Sequence, residues 1–352
     1  MLTVALVTLG DPGTLTGGYL YHQRVAELAA ANDARVEFVS FPDRPFPLAA
    51  LGCRRVREAV RGHDVVLLDS IAAAYTAPSP LARWRPVAAM LHQPPGGIDH
   101  GPFRRRLQAV LDVRGYGGVG RYFAASQSIV DALLNRGIPK DSVRLIPPGT
   151  QPPAAPTAPH EDLRRGRAMA VLNVGNWLPR KGLADLLTAV APLPQQDVTL
   201  HLVGDTEVDP AYRRRIQNRL RQPDLSDRVV VHGPVSRERV ASLYAAADVF
   251  ALPSYLEPYG TAYAEAMAAG LPVLGWRAGN LPHLARHDVE GLMFAPGDVG
   301  GLAAALHRLS IEPDERQRLA RNAQARARSL PTWEQTAETL FAELRALAEA
   351  AR

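Results

Sequence analysis

One cysteine, two lysines, few aromatic residues and no long apolar run set the first limits on this 352-residue chain. A single thiol, Cys53, can close no internal disulfide and build no cysteine-rich metal site, so a reducing, cytoplasmic setting is expected. No stretch approaches the ~20 apolar residues that a membrane-spanning helix needs. The opening residues, Met1-Leu2-Thr3-Val4-Ala5-Leu6-Val7, lack a basic segment and run straight into a strand pattern, so a signal peptide is not expected. Aromatic residues make up 6% of the chain and do not interleave with the arginines, which argues against nucleic acid as a partner. No G-x-G-x-x-G follows the first strand, so a dinucleotide dehydrogenase is poorly supported.

The lysines, Lys140 and Lys181, stand in a chain that uses arginine nearly everywhere else. A lysine kept against that bias marks a place where a compact ammonium does what a planar guanidinium cannot, and Lys181 is singled out on that ground. Lys140 falls in an exposed-looking Gly137-Ile138-Pro139-Lys140-Asp141 turn.

What is present reads as a soluble globular protein: 47% apolar and 21% charged residues, with length for two ordinary domains. The net charge of +5 is unevenly placed. Residues 1–165 hold 19 basic against 14 acidic side chains, and residues 166–352 hold 21 of each. Arg54-Arg55-Val56-Arg57 and Arg104-Arg105-Arg106 supply much of the excess. Such runs are either solvated helix faces or contacts for something anionic, a phospholipid surface or a phosphorylated acceptor. On the second reading, Arg104, Arg105 and Arg106 would hold the protein peripherally at the inner face of an anionic membrane.

Along the chain, apolar strand patterns at 3–9, 35–41, 64–69, 87–91, 122–125 and 143–146 alternate with helical segments, the first helix over 19–31. That alternation predicts an α/β fold with a parallel sheet covered on both faces. Residues 147–159 hold six prolines and read as a linker. A second series follows, with strands at 168–174, 198–203, 229–232, 249–252, 272–275 and 291–295. Helices fit between them at 183–191, 211–221, 237–246, 259–269 and 302–309. Two helices broken at Leu330-Pro331 end the chain. The expected layout is a Rossmann-like domain over 1–150, a Pro-rich linker at 151–160, a second Rossmann-like domain over 161–330, and a helix at 331–352 crossing back to the first. Two doubly wound domains in succession predict a ligand cleft between them, at the carboxyl ends of both sheets.

The richest stretch is Glu257-Pro258-Tyr259-Gly260-Thr261-Ala262-Tyr263-Ala264-Glu265, where an apolar strand ends and a small-residue helix begins. A helix N-terminus, with unpaired N–H groups and partial positive charge, suits a phosphate. Carboxylates on either side suit sugar hydroxyls, so the arrangement fits a nucleotide-sugar better than a bare nucleotide. The plainer alternative is a capped, solvated helix.

Taken with Gly175-Asn176-Trp177-Leu178-Pro179-Arg180-Lys181-Gly182, Val203-Gly204, Asp248-Val249-Phe250-Ala251-Leu252-Pro253-Ser254, Gly279-Asn280-Leu281-Pro282 and Glu290-Gly291-Leu292-Met293-Phe294-Ala295-Pro296-Gly297-Asp298, this run resembles the retaining GT-B glycosyltransferases of family 4. The matching motifs cover nearly all of 168–300. The N-terminal half matches more loosely, through Gly17-Gly18 after the first strand and His92 after the fourth.

The resemblance implies a GT-B fold, an acceptor-binding first domain and a donor-binding second one. It implies transfer of a hexosyl group from a UDP-, GDP- or similar sugar to a hydroxyl acceptor (glycan, lipid-linked or small-molecule), with no metal and no cofactor. Arg180 and Lys181 would neutralise the diphosphate as the glycosidic bond breaks. An Arg is common in the family where Asn176 stands, so that phosphate contact is weaker here and Arg180 takes its place. Glu265 would accept hydrogen bonds from the ribose, and Glu257 from the donor sugar. The amides of Tyr259, Gly260 and Thr261 would meet the phosphates, with Thr261 serving also or instead as an N-cap. Gly17 and Gly18 would form a close-approach loop where a side chain would strike donor or acceptor. His92 would contact the donor sugar or orient the acceptor; His232, His283 and His287 are weaker candidates. No histidine pair shows metal-ligand spacing with a supporting carboxylate. The acceptor would be chosen by the loops at 10–18, 43–51 and 93–103. Within the same fold, a nucleotide-sugar epimerase and a non-catalytic nucleotide-sugar binding subunit are the alternatives; a phosphorylase is disfavoured, because Lys140 is poorly placed to hold pyridoxal phosphate.

Overall fold

The structure, a computed structural model, describes residues 1–13, 17–42, 44, 48–98, 101–150 and 161–352. The expected linker at 151–160, and parts of the three loops assigned to the acceptor, lie outside the described residues. The chain divides into two units, Met1–Gly149 with Pro331–Arg352, and Thr150–Leu330. No helix among the described residues is long and apolar enough to cross a membrane.

In the first unit, β1 (Leu2–Leu9), β2 (Ala34–Phe41), β3 (Val65–Asp69), β4 (Val87–Leu91), β5 (Arg121–Ala124) and β6 (Val143–Leu145) form one parallel sheet in the order β2-β1-β3-β4-β5-β6. Every residue of β3 and β4 is buried, the run of apolar side chains expected where helices cover both faces. Those helices are α1 (Gly17–Glu27), α2 (Cys53–Val60), α3 (Ala73–Thr76), α4 (Pro102–Gly115) and α5 (Gln127–Leu134). The first helix departs from the expected 19–31. It takes Gly17 and Gly18 into its first turn and ends at Glu27, and Asp33, at φ 50°, turns the chain into β2. The left-handed conformation is one that Asp tolerates better than most residues, and it breaks what the apolar spacing alone would have continued.

The second unit repeats the plan with a different strand order. Its strands β7 (Met169–Val174), β8 (Val198–Val203), β9 (Val229–Gly233), β10 (Val249–Ala251), β11 (Val273–Trp276) and β12 (Gly291–Phe294) run parallel as β12-β11-β10-β7-β8-β9. Helices α6 (Leu183–Val190), α7 (Pro210–Leu220), α8 (Arg237–Ala246), α9 (Thr261–Ala268), α10 (Leu281–Leu284), α11 (Val299–Ile311) and α12 (Pro313–Ala327) surround it. Strand alternation splits the core in two. Met169, Val171, Val249 and Ala251 pack with α6 and α11 on one face, while Ala170, Leu172, Phe250 and Leu252 pack with α9 and α12 on the other.

The last helix, α13 (Trp333–Ala350), packs in the first unit, burying Leu340, Phe341 and Leu344 in its core. Thr332 and Gln335 start it with a reciprocal capping box, and the Thr336 hydroxyl donates to the Pro147 carbonyl at 2.9 Å.

Candidate active site

In open parallel sheets ligands gather where the strand order reverses, outside the carboxyl ends of the strands. The second unit reverses between β7 and β10. After β7, the loop Gly175–Gly182 is fastened by Asp205, whose N–H donates to Asn176 Oδ1 at 3.1 Å and whose carbonyl accepts from Trp177 N at 2.9 Å. Asn176 thus acts as a loop clasp in this structure. A 3₁₀ turn over Pro179–Lys181 then delivers the two cations. It closes on Gly182 at φ 67°, where an added Cβ would lie 1.9 Å from the Pro253 carbonyl oxygen, so only glycine lets the two loops touch.

After β10, Ser254 Oγ and Tyr255 N both donate to the Arg180 carbonyl, at 3.0 and 2.8 Å. Arg180 Nη1 donates to the Leu256 carbonyl at 3.2 Å. Lys181 Nζ pairs directly with Glu257 Oε2, both side chains 15% exposed. A third loop holds the backbone of Glu257: Asn280 N donates to its carbonyl at 3.0 Å, and Gly279, at φ 56°, leaves no room for a Cβ beside it. The Gly279-Asn280 turn is therefore part of the site's mounting. Asn280 Nδ2 also donates to the Tyr259 carbonyl at 2.9 Å.

α9 begins one residue earlier than the N-cap reading of Thr261 expects. Gly260 is the N-cap, at φ 91°, and Thr261 is the first helical residue. The turn demands a positive φ, and a Cβ at 260 would press 2.8 Å from the Tyr263 ring, so threonine cannot stand there. The first N–H groups of α9 have no acceptor one turn back within the helix, as at any helix start. Glu265 is accessible to solvent, yet desolvation by the surrounding protein raises its pKa, against the lowering effects of the Tyr244 hydroxyl and Arg237. Tyr244, on α8, donates to Glu265 Oε2 at 3.3 Å and was not legible as a site residue. Glu290, in the last of the matched motifs, is buried and accepts from Arg286 N at 2.7 Å, a structural tie.

The first unit reverses between β1 and β3, and there a buried polar cluster corrects the expectation that no histidine pair has a supporting carboxylate. His22 comes from α1, Asp69 ends β3 and His92 follows β4. His22 Nε2 lies 3.1 Å from Asp69 Oδ2 and 3.3 Å from His92 Nε2, and Thr8 Oγ1 donates to Asp69 at 2.9 Å. A helix and the ends of two adjacent parallel strands bring together three residues that sit 70 positions apart at the extremes.

Burial pushes the Asp69 carboxyl up, but His22, His92 and Thr8 outweigh it and hold the group at about 2. Desolvation, with His22 beside it, takes His92 down to about 3 despite Asp69. Near neutral pH Asp69 is therefore an anion that only accepts, and His92 is neutral. Proton placement then follows: His22 Nε2–H donates toward Asp69, His92 Nε2 can only accept, and the His92 proton sits on Nδ1. His22 Nδ1 is buried with no hydrogen-bond partner. These three ligand atoms lie within 4.8 Å of one another, the one grouping among the described residues that could hold a metal ion.

Gly18 also belongs to this cluster, since a Cβ on it would meet His92 Cδ2 at 3.3 Å; at Gly17 a Cβ would meet open space. Two of the other histidines have structural work: His232 lies 3.0 Å from His201, and His287 Nδ1 accepts from Met293 N.

Residues 159–326 match the model of the family Glycosyl transferases group 1. Among curated relatives, a D-inositol 3-phosphate glycosyltransferase of Xylanimonas cellulosilytica is 32% identical over 243 residues, which cover 64% of this chain and 58% of that protein. An MMP alpha-(1->4)-mannosyltransferase of Mycolicibacterium hassiacum is 33% identical, covering 60% of this chain and 50% of its own length. The chain thus spans about half the length of the curated relatives it matches. Among solved structures, sucrose-phosphate synthase from Thermosynechococcus elongatus superposes with a TM-score of 0.82 at 25% identity, covering 99% of this chain and 100% of that one. HepE of Anabaena, solved with UDP and glucose, gives 0.79 at 23% identity over 97% and 99%. The fold is that of the GT-B glycosyltransferases.

Proposed function

We propose, from the premise that residues 159–326 form a group 1 glycosyltransferase domain, that this protein moves a hexosyl group from a nucleoside-diphosphate sugar to a hydroxyl acceptor with retention at the anomeric carbon. The observation that carries the reading is the Lys181–Glu257 pair at the β7/β10 reversal, in a chain with one other lysine. The names of the relatives and the UDP-glucose complex of HepE support a nucleotide-sugar donor and a sugar-transfer reaction.

On this reading the diphosphate lies against the start of α9, where the amides of Tyr259, Gly260 and Thr261 and the positive end of the helix favour an anion. Lys181 and Arg180 offset the charge that grows on the leaving phosphate, the interaction that usually contributes most to such a step. Glu257 then has two duties, fixing the ammonium and accepting from donor-sugar hydroxyls. Glu265, backed by Tyr244, accepts from the ribose. Retention proceeds by a front-face route, in which the leaving phosphate takes the acceptor's proton. Neutral His92 supplies a hydrogen bond to the sugar or the acceptor, and the reaction uses no metal and no organic cofactor. The acceptor is a glycan, a lipid-linked sugar or a small molecule.

The test is a thermal-shift panel of UDP-, GDP-, ADP- and dTDP-sugars. A ligand that binds only the native state at a hundredfold over its Kd stabilises by about 2.7 kcal/mol. One donor is expected to raise Tm, and Glu265→Ala to abolish the rise while leaving the unliganded melt nearly unchanged. If no nucleotide-sugar shifts the melt, the reading fails. NMR of the anomeric proton in the product then tests retention.

A further inference from the structure

The buried cluster behind His92 has the composition of a metal site. Two imidazoles and one carboxylate converge, and ligand atoms from His22, Asp69 and His92 all lie within 4.8 Å of one another. A four-coordinate zinc ion, with bonds of about 2.0–2.2 Å to nitrogen and oxygen, holds its ligand atoms about 3.3 Å apart. Two of the three separations already stand close to that value: 3.1 Å from His22 Nε2 to Asp69 Oδ2, and 3.3 Å from His22 Nε2 to His92 Nε2. His92, the least buried of the three, supplies the swing that closes the third.

The carboxylate is held ready for this role. Asp69 Oδ1 accepts from Ile71 N at 3.3 Å and from Ser70 Oγ at 3.4 Å, while Thr8 Oγ1 donates to Oδ2 at 2.9 Å. Outer hydrogen bonds of this kind orient a ligating carboxylate, and they leave Oδ2 a lone pair for the imidazole side. Among the described residues no Arg or Lys pairs with this buried anion, and its one ion-pair partner is His22. A divalent cation would give it a far stronger partner.

We propose that His22 Nε2, Asp69 Oδ2 and His92 Nε2 bind one divalent transition-metal ion of the zinc class, with a water in the fourth position. Imidazole nitrogens suit such an ion, whereas magnesium and calcium take oxygen ligands. The ion is a clasp that ties α1 to the ends of β3 and β4. It takes no part in sugar transfer: with Nε2 on the metal, His92 keeps its Nδ1–H for a substrate. The inference therefore stands independently of the sugar-transfer reading. His22 limits the affinity. In the metal-free protein its proton lies on Nε2 and faces Asp69; loading moves the proton to Nδ1, which is buried with no hydrogen-bond partner. A ligating histidine that lacks this outer partner binds about 10–100-fold more weakly, so a Kd in the micromolar range is expected.

Isothermal titration of Zn²⁺ into the full chain, stripped with EDTA and freed of chelator, tests the site. One equivalent is expected to bind and to raise Tm, because an ion that prefers the native state stabilises it by mass action. His22→Gln, Asp69→Asn and His92→Gln are each expected to weaken binding by about 100-fold or more, since losing a ligand costs at least as much as losing its outer partner. His232→Gln, which alters the His201–His232 pair of the second unit, is expected to leave the titration unchanged. Long-range ¹H–¹⁵N spectra read the loaded state directly: zinc is expected to shift the ring nitrogens of two histidines, those whose signals His22→Gln and His92→Gln remove. If the two buried-site variants melt early, His92→Gln, at a half-buried position, decides. A parent that takes up no zinc overturns the proposal. So does an equivalent that survives His92→Gln, and so does one that His232→Gln abolishes.

Discussion

The first unit reverses its strand order between β1 and β3, the second between β7 and β10, and the two reversals hold opposite kinds of polar chemistry. In the second unit the side chains stand at a partly open rim: Lys181, Glu257, Arg180 and Glu265 all keep some contact with solvent. In the first, His22 and Asp69 are sealed in the protein and only His92 reaches outward. An open rim suits groups that must exchange water for a charged ligand. A sealed cluster suits a job of position, fixing one imidazole in one tautomer. The same α/β plan thus makes one unit a chemical surface and the other a support for a single reaching side chain.

The sharpest break of this comparison is at the rim. Lys181→Met should lower kcat for sugar transfer by about 10²–10³, the loss usual when one preorganised electrostatic group is removed, measured as nucleoside diphosphate released. Glu257→Gln should fall as far, because it both releases the ammonium and removes an acceptor for the sugar. Each change leaves its partner charge unpaired at a position only 15% exposed, so a loss of about 1–3 kcal/mol in unfolding free energy is expected with the fold retained. A variant that lost its fold together with its activity would mean that the pair is structural, and the contrast between the units would collapse.

Next in size is the sealed cluster. Asp69→Asn keeps the shape but removes the buried anion opposite His22, so the unfolding free energy in urea should drop by about 3 kcal/mol. Nucleotide-sugar binding, a property of the other unit on this reading, should persist in the fraction that stays folded. Equal damage to both readouts would show that the two reversals are not separable.

Acid tests the same cluster without mutation. His92 is held near 3 against an ordinary 6.5, and Asp69 near 2 against 3.8. Both groups bind more proton when unfolded, so their stabilisation is complete above the ordinary values and is lost as pH falls toward the folded ones. Between pH 6.5 and 4 the His92 part has a slope approaching about 1.4 kcal/mol per pH unit. Asp112 opposes it: desolvation raises that carboxyl to about 6, so its share is present below about pH 4 and is lost as pH rises through 6. Comparing urea unfolding of the parent and His92→Gln at pH 4.5 and 7 isolates the first slope. The parent should lose more stability on acidification than the variant, and an identical loss would refute the buried-neutral assignment.

What the sequence disclosed follows the same division. Strand positions were legible in both units to within a residue or two, because fully buried parallel strands write continuous apolar runs. The second unit's site was legible too: its cations and carboxylates lie in short runs whose order mirrors the loops that carry them. His22 and Asp69 were not, since their partnership joins helix α1 to the end of β3 and leaves no local spacing. Tyr244 was hidden for the same reason, reaching Glu265 from a different helix. Helix α4 was half legible. Its arginine run was visible, but that the polar Gln108 and Asp112 point inward and Phe103 outward inverts the rule by which an amphipathic helix is read.

Thr261 gives the smallest and most discriminating test. Read from the chain, a threonine after glycine at a helix start is an ordinary cap; in the structure Gly260 holds that place and Thr261 sits exposed one residue inside. Thr332, by contrast, caps α13 with a full reciprocal box. Thermal or urea unfolding should therefore separate two chemically identical substitutions: Thr332→Ala should cost about 1 kcal/mol and Thr261→Ala no more than about 0.5 kcal/mol. A larger loss at 261 would restore the capping role and remove the reason for regarding the start of α9 as a ligand-facing end. A small one, joined to a weaker nucleotide-sugar shift than the parent shows, would place the hydroxyl where a phosphate oxygen is expected.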